Sequence, residues 1–193
     1  MKKFRVPIDA VFAGVMIAIG SSVYLNCKNK FVGAFLFAIG LITIMFFGFE
    51  LYTGKVGYLR SVKKIPYILT VLLFNALGCA FIMVLPTDGA EAVWRAHVEI
   101  PLYYAFAKAI VCGILIYVCV AQHKKYGGAV SILTTLVAIP AFILGGAEHS
   151  IADICYMLAA RDFSLYSIAF VLVVAVGNAI GSLVFSLWVE HRE

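Results

Sequence analysis

The 193 residues are 64% hydrophobic and 13% charged, with a formal net charge of +5 and a mean hydropathy of +1.03. Soluble domains run nearer half apolar and a quarter charged, so these figures exclude a soluble enzyme, a nucleic-acid binder and a disordered chain. What remains is an all-α polytopic membrane protein whose apolar surface is covered by lipid, long enough for six or seven crossings of roughly 20 residues each and with no length left for a folded extramembrane domain.

Six apolar stretches follow one another, at residues 7–26, 31–59, 65–86, 101–121, 127–160 and 164–189. The first is preceded by MKKFR, which has the outline of a signal peptide. It reads instead as a retained helix, because the repeat described below needs it. The second and fifth stretches are too long for one simple crossing. Residues 48–55 of the second read GFELYTGK and residues 145–153 of the fifth read GGAEHSIAD, so glycine, acid and hydroxyl groups stand where hydrocarbon is expected. Backbone leaves helical form inside a bilayer only where it is buried in protein or lines a polar cavity. Both segments are therefore predicted to be broken helices with an intramembrane loop.

Basic residues set the orientation. With the N-terminus in the cytoplasm, Lys2, Lys3, Arg5, Arg60, Lys63, Lys64, Lys124, Lys125 and Arg192 fall inside and Lys28, Lys30, Arg95 and Arg161 outside. Both termini are then cytoplasmic at the cell membrane. Lys55 and Lys108 remain at membrane depth, and Lys55 is expected to snorkel from the end of the second helix to the interface.

The broken segments occupy matching places in two halves, about 7–86 and 101–189, of one transmembrane domain spanning 1–193. When Glu50 is aligned with Glu148, GFELYTG falls beside GAEHSIA. The next helix of each half carries an Asn and a Gly at the same spacing, Asn75 in FNALG (74–78) and Asn178 in GNAIG (177–181). Three crossings per half make the copies opposite in orientation, and inverted repeats with interrupted helices are a transport architecture.

These residues resemble the formate/nitrite transporter family of small-anion channels. The likeness is carried by AGVMIAIG (13–20), GAFLFAIGL (33–41) running into GFELYTG, IVCGILIY (110–117), VGNAIGS (176–182) and, most specifically, GGAEHSIAD. The resemblance implies an aquaporin-like protomer of six helices in a homopentamer, with a pore in each protomer. It implies a central pore histidine at His149, loop residues Leu51, Tyr52 and Thr53 narrowing the cytoplasmic path, and apolar constrictions at Phe37, Leu41, Val111 and Phe142. Lys55, Lys108 and Asp153 stand where the family has asparagine, and Tyr52 where it has phenylalanine. The family's lysine before the fourth helix has no clear counterpart, Arg95 being the nearest.

An anion entering low dielectric loses hydration that something must replace. Basic vestibules can concentrate it, broken-helix N-termini can offer N–H groups, and Thr53 and His149 can donate hydrogen bonds at the narrowest point. An imidazole with an unperturbed pKa of about 6.5 can also exchange a proton with a weak acid, which would then pass an apolar ring as a neutral molecule. Glu50, Glu148, Asn75, Asn178 and Asp153 are expected to structure the loops, the two glutamates by accepting from loop N–H groups. Lys108 is either a fixed pore cation or the buried partner of Asp153. The expected function is a channel or transporter for small monovalent anions or their weak acids (formate, nitrite, hydrosulfide), proton-linked through His149. The alternative is a channel for small neutral solutes such as water, urea or ammonia. No enzyme, cofactor or nucleic-acid partner is expected. The five cysteines, with no CxxC and no Cys/His cluster, predict neither a disulfide framework nor a metal site.

Overall fold

Residues 2–192 are described in the computed structural model, with side chains from Arg5 onward. The ends of the 1–193 domain and the Lys2 and Lys3 side chains lie outside the described residues. Among the described residues the regular structure is helical, in the order α1 (Lys2–Asn26), α2 (Lys30–Phe47), α3 (Tyr52–Val56), a 3-10 turn (Val62–Lys64), α4 (Ile65–Met83), α5 (Ala90–Val98), α6 (Leu102–Tyr126), α7 (Gly128–Leu144), α8 (Ser150–Ala159) and α9 (Leu165–Glu190). Punctuation in the sequence sets these limits. The Asn29 side chain accepts from the Phe31 and Val32 N–H groups to start α2, and Gly48 ends it at φ 71°, in the left-handed region that favours glycine. Pro66 sits in the first turn of α4, where its missing N–H costs nothing. The Ser164 side chain caps α9 through the Ser167 N–H.

Among the described residues, five stretches are long and apolar enough to cross a membrane: Arg5–Asn26, Lys30–Phe47, Val62–Met83, Leu102–Tyr126 and Leu165–Glu190. The fifth apolar stretch of the sequence is divided between the shorter α7 and α8, and the second between α2 and α3. Large apolar side chains such as Phe31, Leu69, Leu133 and Leu172 face outward, whereas small residues line the contacts between helices. Helix α1 packs on α4, and α6 on α9, closely enough that only glycine fits at two crossings. A Cβ on Gly14 would overlap the Asn75 carbonyl, and one on Gly113 would overlap the Asn178 carbonyl. In hydrocarbon, where no water drives apolar faces together, such close approach supplies the van der Waals contact that holds helices to one another. Phe37, Leu41, Leu51, Ile116, Ile139, Ile151 and Phe170 fill the interior.

Helix α5 has no counterpart among the predicted stretches. It lies across the end of the molecule where α8 stops, fastened by Trp94. The buried indole donates from Nε1 to Asp162 Oδ2 at 2.9 Å and reaches Ser167 Oγ at 3.3 Å, while its ring meets Phe170 edge-on at 5.6 Å. The Ser167 hydroxyl, the Ser164 N–H and the Trp94 indole hold the Asp162 carboxyl well below the usual carboxylate range. All five cysteines are free, and Cys79, Cys112, Cys119 and Cys155 are buried.

Candidate functional site

The two chain breaks face each other in the interior, and each is held by one asparagine. Asn75 on α4 donates from Nδ2 to Glu50 O at 2.8 Å and to Ala10 O at 2.7 Å, and its Oδ1 accepts the Tyr52 N–H at 2.8 Å. Asn178 on α9 does the same in the second break. Its Nδ2 donates to Glu148 O at 2.8 Å and to Ala109 O at 2.9 Å, and its Oδ1 accepts the Ser150 N–H at 2.9 Å. Each amide thus satisfies the backbone on both sides of a single residue, Leu51 in the first break and His149 in the second. Non-helical backbone needs such partners where water is excluded.

His149 is 2% exposed and Thr53 1%, and they meet across the interior, with Thr53 Oγ1 2.9 Å from His149 Nε2. His149 is also the N-cap of α8, its Nδ1 accepting the Ala152 N–H at 3.1 Å. A nitrogen that accepts an N–H carries no hydrogen itself, so the neutral ring holds its proton on Nε2 and donates it to Thr53. Phe142 stacks on the imidazole at 5.8 Å, and Phe37 packs edge-on against Phe142 at 6.3 Å. With Leu41 and Leu51, both 1% exposed, these rings make an apolar waist around one polar pair.

A cavity opens on either side of the waist, and the two share no lining residue. The one on the α3 side holds about 100 Å³ and is lined by Leu41, Leu51, Lys55, Val120, His123 and Lys124. The one on the α5 side holds about 80 Å³ and is lined by Tyr24, His97, Phe142, His149, Asp153 and Tyr156.

Several residues stand elsewhere than expected. Val111 is 51% exposed on the outer face of α6, away from the waist, because the buried stripe of that helix runs through Ala105, Ala109, Cys112 and Ile116. The glutamates do not serve loop N–H groups, since the asparagines already do. Glu50 instead accepts from the Tyr67 hydroxyl and pairs with Lys55 at 3.1 Å, so Lys55 is tied into the break rather than snorkelling from a helix end. Glu148 lies 2.6 Å from His97 Nδ1. The first N–H groups of α8 are likewise taken, Ser150 by Asn178 and Ala152 by His149. Lys108 makes no ion pair with Asp153. Its ammonium sits 5.1 Å from the centre of the Tyr104 ring, beside Gly146, where a Cβ would come within 3.3 Å of Nζ. Asp153 is fully buried, with neither carboxylate oxygen hydrogen-bonded, and does not structure a loop. Arg95 is exposed and pairs with Glu91 on its own helix. Tyr52 uses the hydroxyl that distinguishes it from phenylalanine, donating to Ala175 O at 3.0 Å. His97, Trp94, Tyr24 and Tyr156 were not singled out in the sequence. The i, i+3 spacing of Trp94 and His97, which sets both on one helical face, was the signal available for two of them.

Comparison with known proteins bears on the family and the fold. The sequence profile of the formate/nitrite transporter family matches residues 1–191. The formate channel FocA of Haemophilus influenzae is 25% identical over 178 residues, which cover 76% of this chain and 63% of that relative, so the chain spans less than two thirds of its length. A solved FNT family ion channel superposes with a TM-score of 0.89 at 23% identity, over 97% of this chain and 90% of its own. A pentameric formate channel with formate bound superposes with a TM-score of 0.82 at 20% identity, over 98% of each chain. At these identities the two structures speak for the fold.

Proposed function

The chain belongs to the formate/nitrite transporter family and is an integral membrane protein, and from this premise we propose that it conducts small monovalent anions or their weak acids, of the formate, nitrite and hydrosulfide class, through a pore of its own. In this reading the protomer has six crossings, the fifth made jointly by α7 and α8. The halves are inverted repeats, and the matched roles of Asn75 and Asn178 support that symmetry. The termini are cytoplasmic, which puts the cavity containing Lys55, His123 and Lys124 inside and the α5 side outside. The assembly is a homopentamer, like the structurally similar pentameric formate channel.

The observation that carries the reading is the Thr53–His149 hydrogen bond, a buried polar contact at the waist between two cavities. A weak acid stripped of water there needs a donor and little else. Basic groups on the inner side raise local anion concentration. Thr53 accepts from the ring, so its own hydroxyl proton is left for the permeant. Proton linkage through His149 follows as an exchange. Thr53 gives its proton to the anion, takes the Nε2 proton in return, and the ring accepts a new one on Nδ1 from solvent in the α5-side cavity, which His149 lines. The Ala152 N–H must let go of Nδ1 for that step, so the exchange is coupled to the cap of α8.

Proteoliposome uptake of formate and nitrite tests this reading. Thr53→Val keeps shape but removes the hydroxyl, and flux should fall by about tenfold, the equivalent of one hydrogen bond of about 1.4 kcal/mol. His149→Ala should abolish the dependence of flux on a proton gradient. Unchanged formate flux in both variants, with the fold intact, rejects the role of the pair. A second reading, conduction of water, urea or ammonia, is favoured by one observation. Glu148 and Asp153 beside the outer cavity have no Lys or Arg partner among the described residues, and uncompensated carboxylates repel an incoming anion. Osmotic swelling in urea without formate flux would select it.

A further inference from the structure

We propose that His97, Glu148 and Asp153 form a binding site for a divalent cation of the zinc class at the α5-side cavity, and that its occupancy closes the passage beside His149. The closure half rests on the pore reading above, whereas the binding half does not.

Each of the three side chains offers one ligand atom, and these atoms lie within 4.8 Å of one another. His97 Nδ1 is 2.6 Å from Glu148 Oε2 and 4.0 Å from Asp153 Oδ1. Glu148 is 2% exposed and Asp153 fully buried. Both Asp153 oxygens lack a hydrogen-bond partner, although the residue lines the cavity. A buried carboxylate with no donor is expensive, and a second carboxylate close by makes it more so. One divalent ion offsets both charges at once.

The donor set selects the metal. One imidazole nitrogen and two carboxylate oxygens suit zinc, which takes His and Asp/Glu at about 2.0–2.2 Å and can complete a tetrahedron with water. Magnesium and calcium prefer all-oxygen shells with more ligands. Seating zinc requires His97 and Glu148 to part slightly and Asp153 to swing inward, movements of side chains alone. The ligands are otherwise held in place. The His97 ring stacks on Trp94 at 6.4 Å and lies against Tyr156 at 5.4 Å. Trp94 is fixed by Asp162, and the Glu148 carbonyl by Asn178.

Closure follows from position and charge. The cavity holds about 80 Å³, room for two or three waters at about 30 Å³ each. A metal ion with its remaining water leaves room for about one or two other waters beside it. His149 and Asp153 line the same cavity, so the ion would stand at the entrance to the waist and retain any anion that reached it.

Calorimetric titration of the purified full-length protein in detergent, with ZnCl₂, CaCl₂ and MgCl₂ in separate arms, tests binding without reference to transport. Zinc should bind at one site per chain, and calcium and magnesium should give no comparable heat. Asp153→Asn and His97→Gln should each weaken zinc by about tenfold or more, in line with the loss of one ligand or its support. Zinc-edge X-ray absorption on the unaltered protein should show the outer-shell scattering of one imidazole, and so one nitrogen ligand, with no sulfur in the first shell, which keeps the test decisive if a variant fails to fold. No zinc binding, equal affinity in folded variants, or an edge spectrum without imidazole scattering overturns the site. In proteoliposomes, zinc on the α5 side should lower formate flux, measured as a fraction of each variant's own metal-free rate, and Asp153→Asn should lose that sensitivity. Zinc bound with undiminished flux overturns closure alone. The pore reading fails separately, if formate flux without metal ignores both Thr53→Val and His149→Ala.

Discussion

The imidazole buried in the interior of this protein is fixed by a backbone partner. His149 caps α8 through Nδ1 and meets Thr53 through Nε2, so its tautomer is set by the helix it begins. The motif GGAEHSIAD singled out His149, and the residue is buried against Thr53. The cap was not legible, because histidine is not among the usual N-cap residues and nothing in the motif says which nitrogen faces Ala152. Tyr52 is a smaller example. From the sequence its hydroxyl looked like a mild departure from phenylalanine, yet it bonds Ala175 O, 123 positions away, a separation no local pattern shows. Tyr52→Phe should therefore lower thermal stability in detergent by about 1 kcal/mol, a shift in the melting midpoint of roughly 2–4 °C. An unchanged midpoint would mean that the hydroxyl bond contributes nothing net.

At the scale of elements, the breaks after α2 and α7 were legible because polar residues in an apolar run have few physical explanations. The partners that stabilise the breaks were only partly so. The asparagines were placed by their matching neighbourhoods, but the glutamates were assigned to loop N–H groups that Asn75 and Asn178 in fact occupy. Helix α5 escaped notice altogether. It spans nine residues, too short and too polar for a hydropathy scan, and its role comes from contacts with Asp162 and Glu148 far along the chain. Its attachment should depend on pH. The folded-state pKa of Asp162 is depressed, so the stability it contributes is complete above the ordinary carboxylate range near pH 4 and is lost as pH falls through the lower folded value. Melting midpoints measured from neutral to acid pH should converge for the natural protein and Asp162→Asn at the acid end. A constant difference across the range would separate the latch from the charge.

For the molecule as a whole, the exterior is the informative surface. A groove of about 400 Å³ lined by Leu69, Leu73, Ala76, Leu158, Ile168 and Leu172 is almost wholly apolar, and lipid or a neighbouring protomer would cover it equally well. Composition announced the membrane but could not divide this surface between the two, since both contacts select the same residues. Single-particle images in nanodiscs should show fivefold symmetry, and a population of isolated protomers would overturn the pentamer. The asparagine braces bear on how such an assembly would open. Because each amide grips the carbonyl before and the N–H after one residue, neither Leu51 nor His149 can be carried sideways by its strand of chain. Only a swing of the side chain can widen the gap. In the proposed pore, an opening signal would therefore act on side-chain torsion angles rather than on the frame, as in an iris whose blades pivot on fixed pins.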